Sequence, residues 1–183
     1  MLLSVLICTL NEREETFNYI HERLLGLIKA GGFENEVEIL VEKDNRENTT
    51  GYKRNLLKDR ANGDFVCYID DDDDVTDDYF IELINAIKHT NADVISFLLD
   101  CFQGGAFSYR CGFFKHIHRD LGDIHVMPPT HLCPHRKELA NRISFPNTSW
   151  QEDYYYMIDL DKITREEHHI DKVLYLYRYN PNK

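Results

Sequence analysis

The sequence is short of positive charge, of glycine-rich phosphate loops and of long apolar runs, and each shortage closes off a class of function. Its 21 lysines and arginines stand against 32 aspartates and glutamates, for a formal net charge of −11. A surface of that sign opposes the counterion release that drives general nucleic-acid binding, so nucleic acid is not an expected partner. No stretch follows GxxxxGK[ST] or GxGxxG, which removes two common backbone cradles for nucleotide phosphates. No apolar run approaches the roughly 18 residues of a membrane span. The opening "MLLSVLICTL" has no basic leader and runs into "NEREE" where a small-residue cleavage site would lie, so it does not read as a signal peptide. Five cysteines (Cys8, Cys67, Cys101, Cys111 and Cys133) are an odd number without CxxC spacing. That usage favours a reducing compartment, and a cytoplasmic protein is the expectation.

What is present suits one folded domain: 183 residues, 43% hydrophobic and 12% aromatic. Leu2 to Leu10 is a continuous apolar run of strand length. Phe17, Ile20, Leu24, Leu27 and Ile28 recur at helical spacing, and Gly31-Gly32 should stop that helix. Val37 to Lys43 reads as a second strand, "GYKRNLLKDRANG" as a short helix ending at Gly63, and Asp64 to Asp70 as a third strand. A helix N-capped by Thr76, with Asp77 and Asp78 in its first turn, leads to a fourth strand at Asp93 to Leu99. Strands and helices in alternation argue for an α/β fold with a mostly parallel central sheet flanked by helices. After Asp100 the rhythm changes to a hairpin and loops, then short helices near Arg136–Arg142 and Gln151–Leu160, then a strand, "KVLYLYRY".

"FVCYIDDDDDVTDDYF" ends the third strand in five consecutive aspartates. In open α/β sheets ligands bind beyond the carboxyl ends of the strands. Three strand ends carry polar groups at once: Thr9 with Asn11, Glu12 and Arg13; Glu42 with Lys43 and Asp44; and the aspartate run. Carboxylates gathered in a low dielectric repel unless a cation compensates, and an all-oxygen site suits Mg²⁺, Mn²⁺ or Ca²⁺. The bland alternative is a solvated acid cluster ahead of a helix. The spacing does not match an EF-hand loop. "HLCPHRKE" sets His131, Cys133 and His135 at alternating positions without an evident fourth zinc ligand.

Three blocks together resemble the GT-A glycosyltransferases of the inverting, family 2 type. "SVLICTLNERE" is similar to the family's opening strand. "TTGYKRNLLKDRANGDFVCYIDDDDDVTDDYF" resembles its Gly-x-(Lys)-Arg-Asn helix, the Ala-x-Gly-(Asp/Glu) lead-in and the Asp-x-Asp-Asp strand exit. "SWQEDYYYMI" resembles its later Glu-Asp motif. Cys8 and Leu10 depart from the family's usual proline and ring, and "EKDNRE" stands where an Asp-Asp-Gly-Ser-like turn is usual.

The resemblance implies a single GT-A domain over 1–183, with a nucleotide-sugar-binding half at 1–99 and an acceptor and catalytic-base half at 100–183. It implies transfer from a nucleoside diphosphate sugar, a UDP-sugar, to a hydroxyl of a glycan or other acceptor. Asp72 of the DXD motif would bind Mn²⁺ or Mg²⁺, with Asp70 and Asp71 on the ribose and donor sugar or supporting the metal. Asp44 would accept from the base, Thr9 would line the nucleoside pocket, and Lys53 and Arg54 would recognise the donor unless they form a solvated helix face. Asp153 would be the general base, Trp150 would face the sugar or fill core, and His168 or His169 is a candidate further metal ligand. A catalytically inactive GT-A-like binding module and a metal-dependent nucleotidyl or phosphoryl transferase are the alternatives.

Overall fold

The uncharged run at the start becomes the strand around which the sheet is built. In the computed structural model, which describes residues 1–115 and 120–179, β1 (Leu3–Leu10) lies between β2 (Val37–Asp44) and β3 (Phe65–Tyr68), parallel to both. Successive side chains of a strand point to opposite faces, so a strand covered on both sides must be apolar at every position. Leu3, Val5 and Ile7 enter one core with Phe65, Cys67 and Ile69, while Leu6 enters a second with Val66 and Tyr68.

Helices cover both faces. α1 (Glu14–Gly31) buries Ile20, Leu24 and Ile28, one turn apart, and ends on Gly32 in the left-handed region at φ 71°. α2 (Thr50–Arg60) starts at Thr49, whose Oγ1 accepts from the Tyr52 amide at 3.1 Å. It stops at Arg60, short of the expected Gly63. There the chain runs against β1 so closely that a Cβ on Gly63 would lie 2.6 Å from the Ser4 nitrogen.

Beyond β3, Asp74–Val75 forms a two-residue strand, β4, held antiparallel against the last strand. That pairing delays the next helix, α3 (Tyr79–His89), so Thr76 is not its N-cap and Asp77 and Asp78 precede its first turn. The Thr76 hydroxyl instead donates to Asp78 at 2.7 Å. β5 (Val94–Gln103) runs further than expected and turns through Gly104 and Gly105, both at positive φ, into antiparallel β6 (Ala106–Phe113). β7 (Ile124–Met127), β8 (His135–Arg136), the single turn α4 (Lys137–Ala140) and α5 (Glu152–Ile163) follow. Part of the expected loop, 116–119, lies outside the described residues.

The last strand, β9 (Glu167–Tyr179), begins five residues before "KVLYLYRY" and pairs in parallel with β5 along its length. The sheet order is β2-β1-β3-β8-β5-β6-β7, with β9 joining β4 and β5. The result is a mixed α/β fold whose parallel pairs carry the centre. No described helix is long and apolar enough to cross a membrane. All five cysteines are free thiols.

His135 shows what burial does to a titratable group. It is wholly buried, with Nδ1 2.8 Å from the Cys133 carbonyl and Nε2 2.8 Å from the Tyr156 hydroxyl. Desolvation pushes its pKa down to about 4. Between that value and the usual 6.5 the unfolded chain binds a proton that the folded chain refuses. Stability therefore rises with pH through this window and is lost as pH falls, by up to roughly 3 kcal/mol. Urea midpoints measured at pH 7 and pH 4.5 should drop less for His135→Gln than for the unmodified chain. Equal drops would contradict this assignment.

Candidate active site

Because β1, β2 and β3 are parallel, their carboxyl ends open on one edge, and Leu10 lies beside Asp44 in register. A cavity of about 740 Å³ occupies that edge. Thr9, Lys53, Arg54 and Asp70 to Asp72 line it, facing Trp150, Tyr177 and Arg178 from the far end of the sequence.

The five aspartates are dealt to different partners. Asp70 is partly exposed and accepts from Arg54 at 3.0 Å. Asp71 is 2% exposed and accepts from the Thr9 hydroxyl at 2.7 Å and from Arg13 at 2.9 Å. Asp72 lines the cavity, half-buried. Asp73 is buried and accepts from the Tyr175 hydroxyl at 2.8 Å and the Arg178 amide at 2.7 Å. Burial, and then the nearby Asp70 charge, raise the Asp73 pKa above the usual carboxylate range. Asp74 accepts from Arg23 at 2.7 Å, Tyr19 at 2.9 Å and Arg178 at 2.5 Å. The run is thus neither a solvated cluster nor five equivalent ligands.

Lys53 and Arg54 are not a solvated helix face, being 4% and 5% exposed. Lys53 Nζ donates to the Thr9 carbonyl and to Asp44, each at 2.9 Å, tying the ends of β1 and β2 together. Asp44 also accepts from the backbone amides of Asn48 at 2.9 Å and Arg46 at 3.2 Å. Burial alone would raise its pKa, but these donors hold it below the usual carboxylate range. Asp44 is therefore a fixed anionic acceptor.

Arg54 reaches in two directions. One nitrogen donates to Asp70 and the other to Glu152, both at 3.0 Å, over the ring of Phe145 at 5.3 Å. Its pKa is raised: burial would lower it, but the charges of Asp70 and Glu152 outweigh that. The Glu152 pKa is raised in turn, because burial outweighs the pull of Arg54. Asp153, one residue on, is exposed on the first turn of α5, and its side chain accepts from the Tyr154 amide at 2.8 Å. It is not among the residues lining the cavity, although Ser149 and Trp150 just before it are.

Tyr177 and Arg178 at the cavity escaped sequence reasoning; Arg178 meets Asp73 and Asp74, 105 and 104 residues away. Arg13 stood at the first strand end and Glu152 in the Glu-Asp motif, but no local pattern marks their partners, Asp71 and Arg54, 58 and 98 residues away. Tyr177 and Arg178 read only as faces of a strand, since alternation does not say where a strand's end will lie. The histidines go elsewhere. His169 Nδ1 lies 3.0 Å from the Ser96 hydroxyl near the opposite end of β9. Nine residues of strand, roughly 25–30 Å, separate it from Arg178 at the cavity. Both ring nitrogens of His135 are engaged, so the His131, Cys133 and His135 set is not a zinc site. Among the described residues no three His, Cys, Asp or Glu side chains are grouped to hold a metal by themselves.

The family model for glycosyl transferase family 2 matches residues 43–145, more than half of the chain. The chain belongs to glycosyl transferase family 2. That match takes in Asp44, α2 and the aspartate run, and leaves β1 and the Glu152-Asp153 pair outside it. No curated protein sequence matches the chain. Among solved structures, S. aureus TarS 1-349 matches with a TM-score of 0.67 at 17% identity, over 97% of this chain and 60% of that one. TarS 1-349 in complex with UDP-GlcNAc matches with a TM-score of 0.68 at 16% identity, over 100% of this chain and 60% of that one. The complex with UDP matches at 0.66 and 16% identity, over 99% and 61%. At such identity the likeness establishes the GT-A fold, from β1 through β9. The family 2 chain spans about 60% of the length of those TarS 1-349 structures.

Removing one partner of a buried ion pair leaves the other uncompensated, which costs on the order of 3–5 kcal/mol. Arg54→Met should therefore destabilise the chain by about that amount in urea unfolding. Arg54→Met combined with Glu152→Gln should recover part of the loss. A loss below about 1 kcal/mol for the single variant would contradict the bridge described above.

Proposed function

We propose that this family 2 chain transfers a sugar from a nucleoside diphosphate sugar, with UDP as the nucleotide, to a hydroxyl of a glycan or other acceptor, inverting the anomeric centre. The supporting observation is the placement of Asp72 and Asp70 at the exit of β3, on one cavity with Lys53, whose Nζ donates to Asp44 at the end of β2, just behind the lining residues Arg46 to Asn48. The cavity lies in the size range of small-ligand sites, and TarS, of the same fold, was crystallised with UDP-GlcNAc and with UDP.

The residues divide the work by position. Asp44 is pinned by Lys53 and by backbone amides, which suits it to accept a hydrogen bond from the imide N–H of uracil. Thr9, with its hydroxyl on Asp71 and its carbonyl on Lys53, forms the rigid floor of the nucleoside side. Asp72, supported by Asp70, would hold Mn²⁺ or Mg²⁺. The donor set fits, because these ions need only one or two protein carboxylates when phosphate oxygens and water complete the shell. Such an ion would supply Lewis-acid stabilisation of the departing diphosphate. Lys53 and Arg54 line the cavity and would recognise the donor while holding Asp44 and Asp70 in place. Asp153 would take the proton from the acceptor hydroxyl as the sugar is displaced. The donor half spans 1–99 and the acceptor half 100–183, with Tyr177 and Arg178 crossing back to the donor side.

One observation favours a second reading. Asp70 and Asp71 are already engaged by Arg54 and Arg13, as they would be in a catalytically inactive binding module of the same fold. Product analysis with UDP-sugars and Mn²⁺ separates the cases. A transferase releases UDP, a nucleotidyl or phosphoryl transferase releases monophosphate or pyrophosphate, and a silent module releases nothing. Asp72→Ala should abolish donor binding. Asp153→Asn should bind donor normally and lose transfer by about 100-fold or more. Transfer at the normal rate by Asp153→Asn would remove Asp153 from the role of base.

A further inference from the structure

The sole tryptophan stands on the rim of the cavity with its ring in water. Trp150 is 74% exposed and lines the cavity, so it does not fill core. A large ring is ordinarily covered on folding, and a solvated one at a site edge is the informative case.

Its backbone is fixed on both sides. The Trp150 amide donates to Thr148 Oγ1 at 3.3 Å. The preceding residues are fastened to the start of α2: Thr49 Oγ1 donates to Asn147 at 2.6 Å, the Thr50 amide to Ser149 Oγ at 3.0 Å, and the Gly51 amide to the Thr148 carbonyl at 3.0 Å. A Cβ on Gly51 would lie 1.9 Å from the Pro146 carbonyl oxygen, so helix and segment touch backbone to backbone. On the other side Gln151 adopts φ 60°, a left-handed conformation that non-glycine residues rarely hold, and α5 starts at once. The backbone that carries the indole to the rim is therefore held by the fold, so no ordering of this segment is needed when the ring binds.

We infer that Trp150 is a stacking platform for a pyranose ring, and that the acceptor is a neutral saccharide; this rests on the transfer reading above. A pyranose pairs one face of C–H groups, suited to a flat indole, with an edge of hydroxyls. Asp153 stands three residues beyond Trp150, on the first turn of α5. Tyr154 and Tyr155, half-exposed and in ring contact at 5.6 Å, carry the aromatic surface along the same turn. Around the cavity Arg13, Arg46, Lys53, Arg54 and Arg178 are nearly balanced by Glu47 and Asp70 to Asp72, so the site offers a polyanion little cationic surplus to offset the net charge of −11.

Because there is one tryptophan, its emission reports this position alone. The intact chain with Mn²⁺ and UDP is titrated with neutral oligosaccharides of glucose, galactose, mannose and N-acetylglucosamine, and donor hydrolysis is measured alongside. At least one series should give a saturable blue shift. Trp150→Ala should raise the acceptor KM for that saccharide about tenfold, more than the donor KM, with Trp150→Phe recovering part of it. Emission unmoved by every saccharide, in a chain that hydrolyses UDP-sugar, overturns the platform and leaves the transfer reading intact. An unchanged acceptor KM in Trp150→Ala overturns it as well. A chain that neither hydrolyses nor transfers from any UDP-sugar overturns the reading beneath it, and the platform with it.

Discussion

Five carboxylates in sequence at the end of a buried strand set the constraint that the rest of the molecule answers. Each must be given a counter-group or face the cavity, because like charges a few ångströms apart are costly where water is excluded. The fold meets this with donors drawn from everywhere else in the chain. Arg13 and Thr9 come from the end of β1, Tyr19 and Arg23 from α1, Arg54 from α2, and Tyr175 and Arg178 from β9. The alternation of a chain leaving a strand then becomes a division of labour. Asp73 and Asp74 hold structure together, while Asp70, Asp71 and Asp72 line the cavity, Asp71 with its oxygens taken by Thr9 and Arg13.

The same economy joins the two halves of the sequence. Arg54 links Asp70 at the exit of β3 to Glu152 at the start of α5, one residue before the candidate base. Lys53, its neighbour, fastens β1 to β2 from the adjacent position. Two cations that a helical wheel would leave in water are the internal struts of the site. The loop at 146–150 is pressed onto the other end of that helix, so α2 contacts Asp44, the aspartate run and the aromatic rim at once.

Much of this architecture could be read from the sequence, for a physical reason. Uninterrupted apolar runs such as Leu3 to Leu10 have few ways to be buried on both faces, and helical spacing in α1 leaves one face to bury. The placement of polar groups at three strand ends followed from the parallel order alone. What stayed hidden depends on contacts across long separations. Nothing near Asp71 indicates that it turns inward to Thr9 and Arg13. Nothing in "LYLYRY" indicates that Arg178 will cap Asp73 and Asp74. The delayed start of α3 was hidden for the same reason, since the partner holding β4 lies about 100 residues away.

The proposed transfer depends on an ion held between Asp72 and the diphosphate of a sugar donor. The most direct measurement is a crystal structure of the chain grown with UDP and Mn²⁺, read by the anomalous signal of the metal. The expected result is manganese bonded to an Asp72 oxygen and to phosphate oxygens, with the uracil against Asp44. UDP seated in the cavity with Asp72 turned to bulk solvent and no ion beside it would contradict the account.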